Sequence, residues 1–321
     1  MKKTLKVTLC LLLVAMMLFS GCTKPSKDTT EQAIAETGAK KESLVFSISS
    51  EPTSLDPAMT KDTITYLVGF QIFDTLFREE PDGTIAPALA EEYEFSENGL
   101  ELTMKIREGV KFHNGDVMTA DDVEYSINRA IASSYTSAFT STMDRMEKVD
   151  DTHVKLIMKE PYAAVLSCLC SANLGIVNKA AAEAAGDDFT KEPIGTGAYK
   201  FVSWSTGEKI EMERFDEYWR GTPAIKNLTF KIHTDKSTAA IALEKGEVDV
   251  LYYPSTSDRM NLMNLDNVTW KEGQAATLFY VAFNCRDGVF ANEKLRKAVC
   301  YALDRDSVVL GGADGLGIPT E

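Results

Sequence analysis

Three histidines, six cysteines and a scatter of paired acids are what this 321-residue chain offers for chemistry. His113, His153 and His233 are widely separated, and no H-E-x-x-H pair places two of them on one helix face for a metal. No G-x-S-x-G elbow is present to raise a nucleophilic serine. Each histidine therefore reads as a hydrogen-bonded structural residue, and no metal or cofactor is expected. The acid pairs Asp121-Asp122 and Asp150-Asp151 fall where a helix cap and a turn belong. Gly195-Thr196-Gly197 invites comparison with a phosphate loop, but G-x-x-x-x-G-K-S/T is absent and no helix follows. Two glycines there allow a tight backbone path into a strand. A hydrolase using lone acids in a cleft is the rival class, and nothing in the spacing favours it.

The cysteines divide by position. Cys168 and Cys170 lie in the apolar run AAVLSCLCSA, with Cys285 and Cys300 far downstream, and none has zinc-type C-x-x-C spacing. Buried thiols are the expectation; a Cys285–Cys300 disulfide is the alternative. Cys10 sits in an apolar run, Val7 to Phe19, preceded by Lys2, Lys3 and Lys6. That run is too short to span a bilayer comfortably and reads as a signal peptide over residues 1–21. Phe19-Ser20-Gly21-Cys22 resembles a lipobox, with Phe where Leu is usual, making Cys22 the acylated first residue. Residues 22–43 then form a polar tether without aromatics, unable to build a core.

Charge excludes one class of partner. The chain carries 34 basic and 48 acidic residues; removing the three lysines of residues 1–21 leaves 31 against 48, a net of −17. Such acidity argues against nucleic acid.

The elements that would position these groups are legible in two stretches. From Leu100, alternating Leu102, Met104 and Ile106 read as a half-buried strand, and Val110 and Phe112 as a short second one. Asn114-Gly115 is a turn. Thr119 caps a helix carrying Val123, Ile127, Ala130 and Ile131 on one face, with Asp122 completing a capping box. Asn98-Gly99 closes a hairpin onto Tyr93–Phe95, and Asp150-Asp151 another before Val154 to Met158. Asp62 or Thr63 caps a helix with Ile64, Leu67, Val68 and Ile72 on its apolar face. Lys236 to Lys245 is a helix closed by Gly246, and Leu278 to Phe283 alternates like a strand.

LTMKIREGVKFHNGDVMTADDVEYSINRA, followed by PIGTGAYKF, RFDEYWRG and GEVDV, resembles the family 5 extracellular solute-binding proteins, the peptide- and nickel-type receptors of ABC importers. The resemblance covers about residues 44 to 310. It implies an α/β, two-lobed periplasmic-binding-protein-like fold of type II. Lobe one would span 44–271, with a β-rich subdomain inserted at about 80–190, and residues 272–321 would only begin lobe two. It implies capture of a short peptide, with nickel chelates or oligosaccharides as the alternatives within the family. Delivery to ABC permease subunits by a lipid-anchored monomer, at the outer face of the cytoplasmic membrane or in the periplasm, goes with it. Glu51 and Thr53 become candidates for contacts along an extended ligand, and Thr65, Tyr66, Tyr253, Tyr280 and Asn284 for the pocket or hinge. Core packing is the alternative for each aromatic. Family members continue well beyond the equivalent of Glu321, so the sequence is expected to be a truncated copy that binds its solute weakly.

Overall fold

The computed structural model describes residues 41–273, 280–313 and 315–319. Cys22 and the expected leader lie outside them. The first strand, β1 (Ser43–Ile48), leads through an irregular segment with one 3-10 turn, Pro57–Met59, into helix α1 (Thr63–Ile72). The Asp62 carboxylate caps α1 by accepting the Thr65 amide at 2.7 Å, satisfying one of the free amides of a helix start.

A small hairpin, β2 (Phe77–Glu79) and β3 (Ile85–Pro87), precedes a separate layer. There β4 (Ala90–Phe95), β5 (Glu101–Ile106), β6 (Met143–Lys148) and β7 (His153–Met158) form an antiparallel sheet in the order β4-β5-β7-β6. Alternation does the work: Leu102, Met104 and Ile106 of β5 are buried, as are Val154, Leu156 and Met158 of β7. Leu102 pairs with Leu156 and Met104 with Val154, which stacks apolar side chains on one face. Helix α2 (Ala120–Ala132) covers that face with Val123, Ile127 and Ala130. Asn128 brackets the backbone of Met146, donating to its carbonyl and accepting its amide, both at 2.8 Å.

Val110 and Phe112 do not make the strand expected of them. Only Lys111 bridges, to Val117, because the positive-φ turn at Gly115 folds the segment onto itself. Both apolar side chains are buried all the same.

Helix α3 (Lys179–Ala185) returns the chain to the first layer. The strands β8 (Tyr199–Ser205), β9 (Lys209–Arg214), β10 (Asn227–Ile232) and β11 (Val250–Leu251) complete a five-stranded sheet in the order β11-β1-β10-β9-β8. Here β1 runs parallel to both β10 and β11, while β8 and β9 are antiparallel. Ile48, Ile210, Met212 and Phe230 of this sheet bury against Val68 and Ile72 of α1. Helix α4 (Lys236–Glu244) joins β10 to β11 and ends at Lys245, with Gly246 at φ 71° just beyond. After helix α5 (Thr256–Met263) the described residues hold α6 (Glu293–Ala302) and α7 (Arg305–Ala313). Helix α6 buries none of its side chains.

Two further expectations need correction. Residues 280–283 form no strand, having no paired neighbour among the described residues. Cys168 and Cys170 are buried free thiols, whereas Cys285 and Cys300 are exposed and unbonded rather than buried. The Cys170 thiol is pushed up to about 11 by burial, so it is a packing group, not a nucleophile.

Candidate functional site

Parallel strands aim their carboxyl ends at one edge of a sheet, and in open α/β sheets ligands gather outside that edge. Three segments leave it here. From β1 come Ser49 and Ser50, both exposed, then Glu51 and Thr53. From β10 comes His233, whose amide donates to the Ile48 carbonyl at 2.9 Å and whose Nδ1 lies 2.9 Å from the Ser47 hydroxyl. From β11 come Tyr252 and Tyr253. The β8–β9 turn reaches the same edge, since Lys209 pairs with Lys231.

Glu51 and Thr53 are held in place by neighbours. Trp204 Nε1 donates to the Glu51 carboxylate at 2.7 Å, and the Gly207 amide donates to the same oxygen at 3.0 Å. The side chain thus ties the β1 exit to the β8–β9 turn, and its second oxygen has no hydrogen-bond partner among the described residues. Thr53 donates its hydroxyl to Asp62 at 2.6 Å. The hydroxyls of Thr60 and Thr65 converge on the same carboxylate oxygen at 2.9 and 2.7 Å. Burial would push the Asp62 carboxyl up, but the hydrogen bonds from Thr53, Thr65 and Thr60 outweigh it and hold the group below its usual range. Thr65 is 2% exposed, with amide and hydroxyl both committed to Asp62, so it shapes the edge from within and offers a ligand no free atom. Tyr66, beside it, is partly buried, and that burial pushes its phenol up.

Tyr253 is the one non-glycine among the described residues with a positive φ, 59°. The residue is 64% exposed, and its ring lies tilted 6.0 Å from that of Tyr252 and 4.9 Å beneath the Lys236 ammonium. A left-handed tyrosine costs backbone strain, which here presents an aromatic face to solvent at the sheet's carboxyl edge. Tyr280 and Asn284 stand apart: Tyr280 is 76% exposed, and Asn284 bonds to Asp287 and the Arg286 amide within its own turn.

A second polar cluster, unforeseen from sequence, lies beyond the far end of α1. Asp74 accepts from Trp219 Nε1 at 2.8 Å, the Tyr218 hydroxyl at 2.9 Å and the Thr196 hydroxyl at 3.0 Å. Burial raises the Asp74 carboxyl despite these donors. The acid was visible after Phe73 in sequence; the three donors come from more than a hundred residues away. Among the described residues, no group of three or more His, Cys, Asp or Glu could hold a metal ion, and no helix is long and apolar enough to cross a membrane.

Known proteins share this framework. A family model described as "Bacterial extracellular solute-binding proteins, family 5 Middle" matches residues 84–321. The glutathione-binding protein GsiB of Pectobacterium atrosepticum is 29% identical over 281 residues, 86% of this chain and 55% of that protein. The chain thus spans about half the length of the curated relatives it matches. Among solved structures, the oligopeptide-binding protein AppA of Bacillus subtilis, in complex with a nonapeptide, superposes with a TM-score of 0.74 at 25% identity, covering 87% of this chain and 57% of AppA. A nickel ABC transporter structure from Bacillus halodurans gives 0.68 at 31% identity, covering 84% and 55%.

Proposed function

This chain belongs to the bacterial extracellular solute-binding proteins of family 5, and from that membership we propose that it captures short peptides and delivers them to an ABC permease. The observation that carries the peptide reading is the β1 exit. Exposed Ser49 and Ser50 follow as a bend just past the last ladder pair of β1, Ile48 with Ile232. Their main-chain groups can pair with an extended ligand by strand addition, flanked by Glu51, Thr53 and the Tyr253 ring. The nonapeptide-bound relative supports the same ligand class.

Residues 44–271 form lobe one on this reading, and closure against a second lobe would desolvate the ligand. Cys22 anchors the protein by its lipid at the outer face of the cytoplasmic membrane, where it acts as a monomer. Nickel chelates are the second reading, favoured by the 31% identity to the nickel transporter structure. The described histidines do not favour it, because His113, His153 and His233 are each engaged with Gly197, Asp150 and Ser47.

Calorimetry on purified protein with a pool of di- to pentapeptides, with glutathione, and with nickel–histidine separates these readings. Weak but saturable heat from the peptides is expected. Saturable heat from nickel–histidine alone, or hydrolysis of the peptides, overturns the proposal.

A further inference from the structure

The segment carrying Glu51 and Thr53 has almost no regular structure of its own. Between the end of β1 and the start of α1 it holds only the 3-10 turn Pro57–Met59, so side chains from elsewhere must dictate its path. Glu51 is tied to Trp204 and Gly207, but the groups that hold residues 55–60 come from the part of the chain between β1 and β8. Arg129, in the last turn of α2, grips the Asp56 carboxylate with both guanidinium arms, one at 2.6 Å. Asp56 is 1% exposed and also accepts the Ala58 amide at 3.0 Å. Ser133 donates to the Ala58 carbonyl at 2.6 Å. Asn173, 1% exposed, spends both its amide hydrogens on the carbonyls of Pro57 and Thr60, at 2.8 and 2.9 Å. The Leu55 amide donates to the Thr190 carbonyl at 3.0 Å.

We infer that Arg129 is a positioning residue for the ligand edge: through Asp56 it lets the inserted four-stranded layer set the path of residues 51–62, and hence where Glu51 and Thr53 stand. A bidentate guanidinium–carboxylate contact fixes orientation as well as distance, and a lysine cannot reproduce it. Asn173 secures the other side of the same turn. The inserted layer then acts on binding through the segment it holds: it is the template on which the β1 exit is cast. This rests on the proposed function only for its consequence in binding; the positioning itself is a property of the chain.

Hydrogen exchange read by mass spectrometry, with peptide calorimetry beside it, tests the inference. The probe amides are Leu55, Ala58 and Met59, each hydrogen-bonded in the structure; those of β5 and β7 are the reference. Two variants are used, Arg129→Lys and the double variant Arg129→Met with Asp56→Asn, which removes both charges together and leaves none buried alone. Lys155→Met, which breaks the surface pair with Glu101 in the same layer, is the control. Expected is at least tenfold faster exchange at the probe amides in the double variant and a smaller increase in Arg129→Lys. The reference amides and the control stay unchanged. Peptide affinity, measured with the di- to pentapeptide pool, falls in the same order. Unchanged probe exchange overturns the inference, as does acceleration shared equally by β5 and β7, which would make the pair a matter of general stability. If the parent protein binds no peptide, the functional reading fails while the exchange pattern still decides whether Arg129 positions the segment.

Discussion

His113 donates from Nε2 to the backbone carbonyl of Gly197 at 2.9 Å, and its amide donates to the carbonyl of Gly195 at 2.9 Å. The two most distinctive stretches of the sequence, one around Asn114-Gly115 and the other around Thr196, therefore meet at a single residue. The His113 Nδ1 is buried with no partner among the described residues, and the ring meets Phe215 edge-on at 5.2 Å.

That environment makes stability depend on pH. Burial brings the His113 imidazole down to about 4 from its ordinary 6.5, against the Gly197 carbonyl, which favours the charged form. The unfolded chain binds the proton more readily, so this contribution is present above pH 6.5 and is lost as pH falls from 6.5 towards 4. Urea unfolding at pH 7 and pH 4.5 should show His113→Gln losing less stability than the parent protein, by roughly 2 kcal/mol. Parallel losses in both would show that His113 is not buried neutral.

Gly195 and Gly197 are small because a backbone passes over them. A Cβ on Gly195 would sit 2.1 Å from the Ile72 carbonyl oxygen, and one on Gly197 2.5 Å from that of Gln71. Neither obstacle is a side chain that can rotate away. Gly197→Ala should cost about 2–3 kcal/mol in chemical denaturation, the upper end of overpacking penalties. Gly207→Ala, where nothing lies within 4 Å of a Cβ but φ is 72°, should cost about 1 kcal/mol from strain alone.

The start of α2 works through Asp122. Its carboxylate accepts the Thr119 amide at 2.9 Å, the Thr119 hydroxyl at 2.7 Å and the Lys179 amide of α3 at 2.9 Å. Thr119→Ala should lower stability by about 1 kcal/mol. Asp122→Ala should lower it further, because two helix starts lose their acceptor. Equal unfolding midpoints for the two variants would contradict this reading of the cap.

These cases mark what sequence could convey. Thr119, Asp122 and the Asn98-Gly99 hairpin were legible because cap and turn chemistry acts over three or four residues. The glycines flanking Thr196 were legible as a tight backbone path into a strand, but the backbone they pass, that of Gln71 and Ile72, was not. Glu51 and Thr53 stood out as ligand candidates, yet their bonds to Trp204 and Asp62 show them first as parts of a scaffold. Asp74 and Arg129 carried no local signal, since their partners lie 122 and 73 residues distant. The parallel pairing of β1 with β10 was equally hidden, because nothing in a strand's own alternation names its neighbour.

Tyr253 offers a separable test of site against scaffold. At φ 59° a glycine relieves the strain. Tyr253→Gly should therefore unfold at the same or a higher temperature, with a gain of up to about 1 kcal/mol. It should bind the peptide pool at least tenfold more weakly in calorimetry. Full affinity in the variant would remove the exposed ring from the site.

The anchor can be checked in cells. With Cys22 acylated, labelled palmitate should enter the parent protein and be absent from Cys22→Ser, which should leave the membrane fraction. Equal labelling of both would reject the lipobox reading.

The place of β1 in the sheet has a temporal side. It lies between β10 and β11, and its first residue, Ser43, pairs with Asn227, 184 positions later. The antiparallel sheet of β4–β7, by contrast, is complete by Met158. Local ladders close early, whereas contacts of long sequence separation wait on loop closure. The first strand of the described residues to emerge from a ribosome or a translocation channel is thus among the last to find its neighbours. Until residues 227–232 arrive, β1 has no partner, and the ligand edge that begins at its end cannot exist. The edge is assembled only once the chain has grown 184 residues past Ser43.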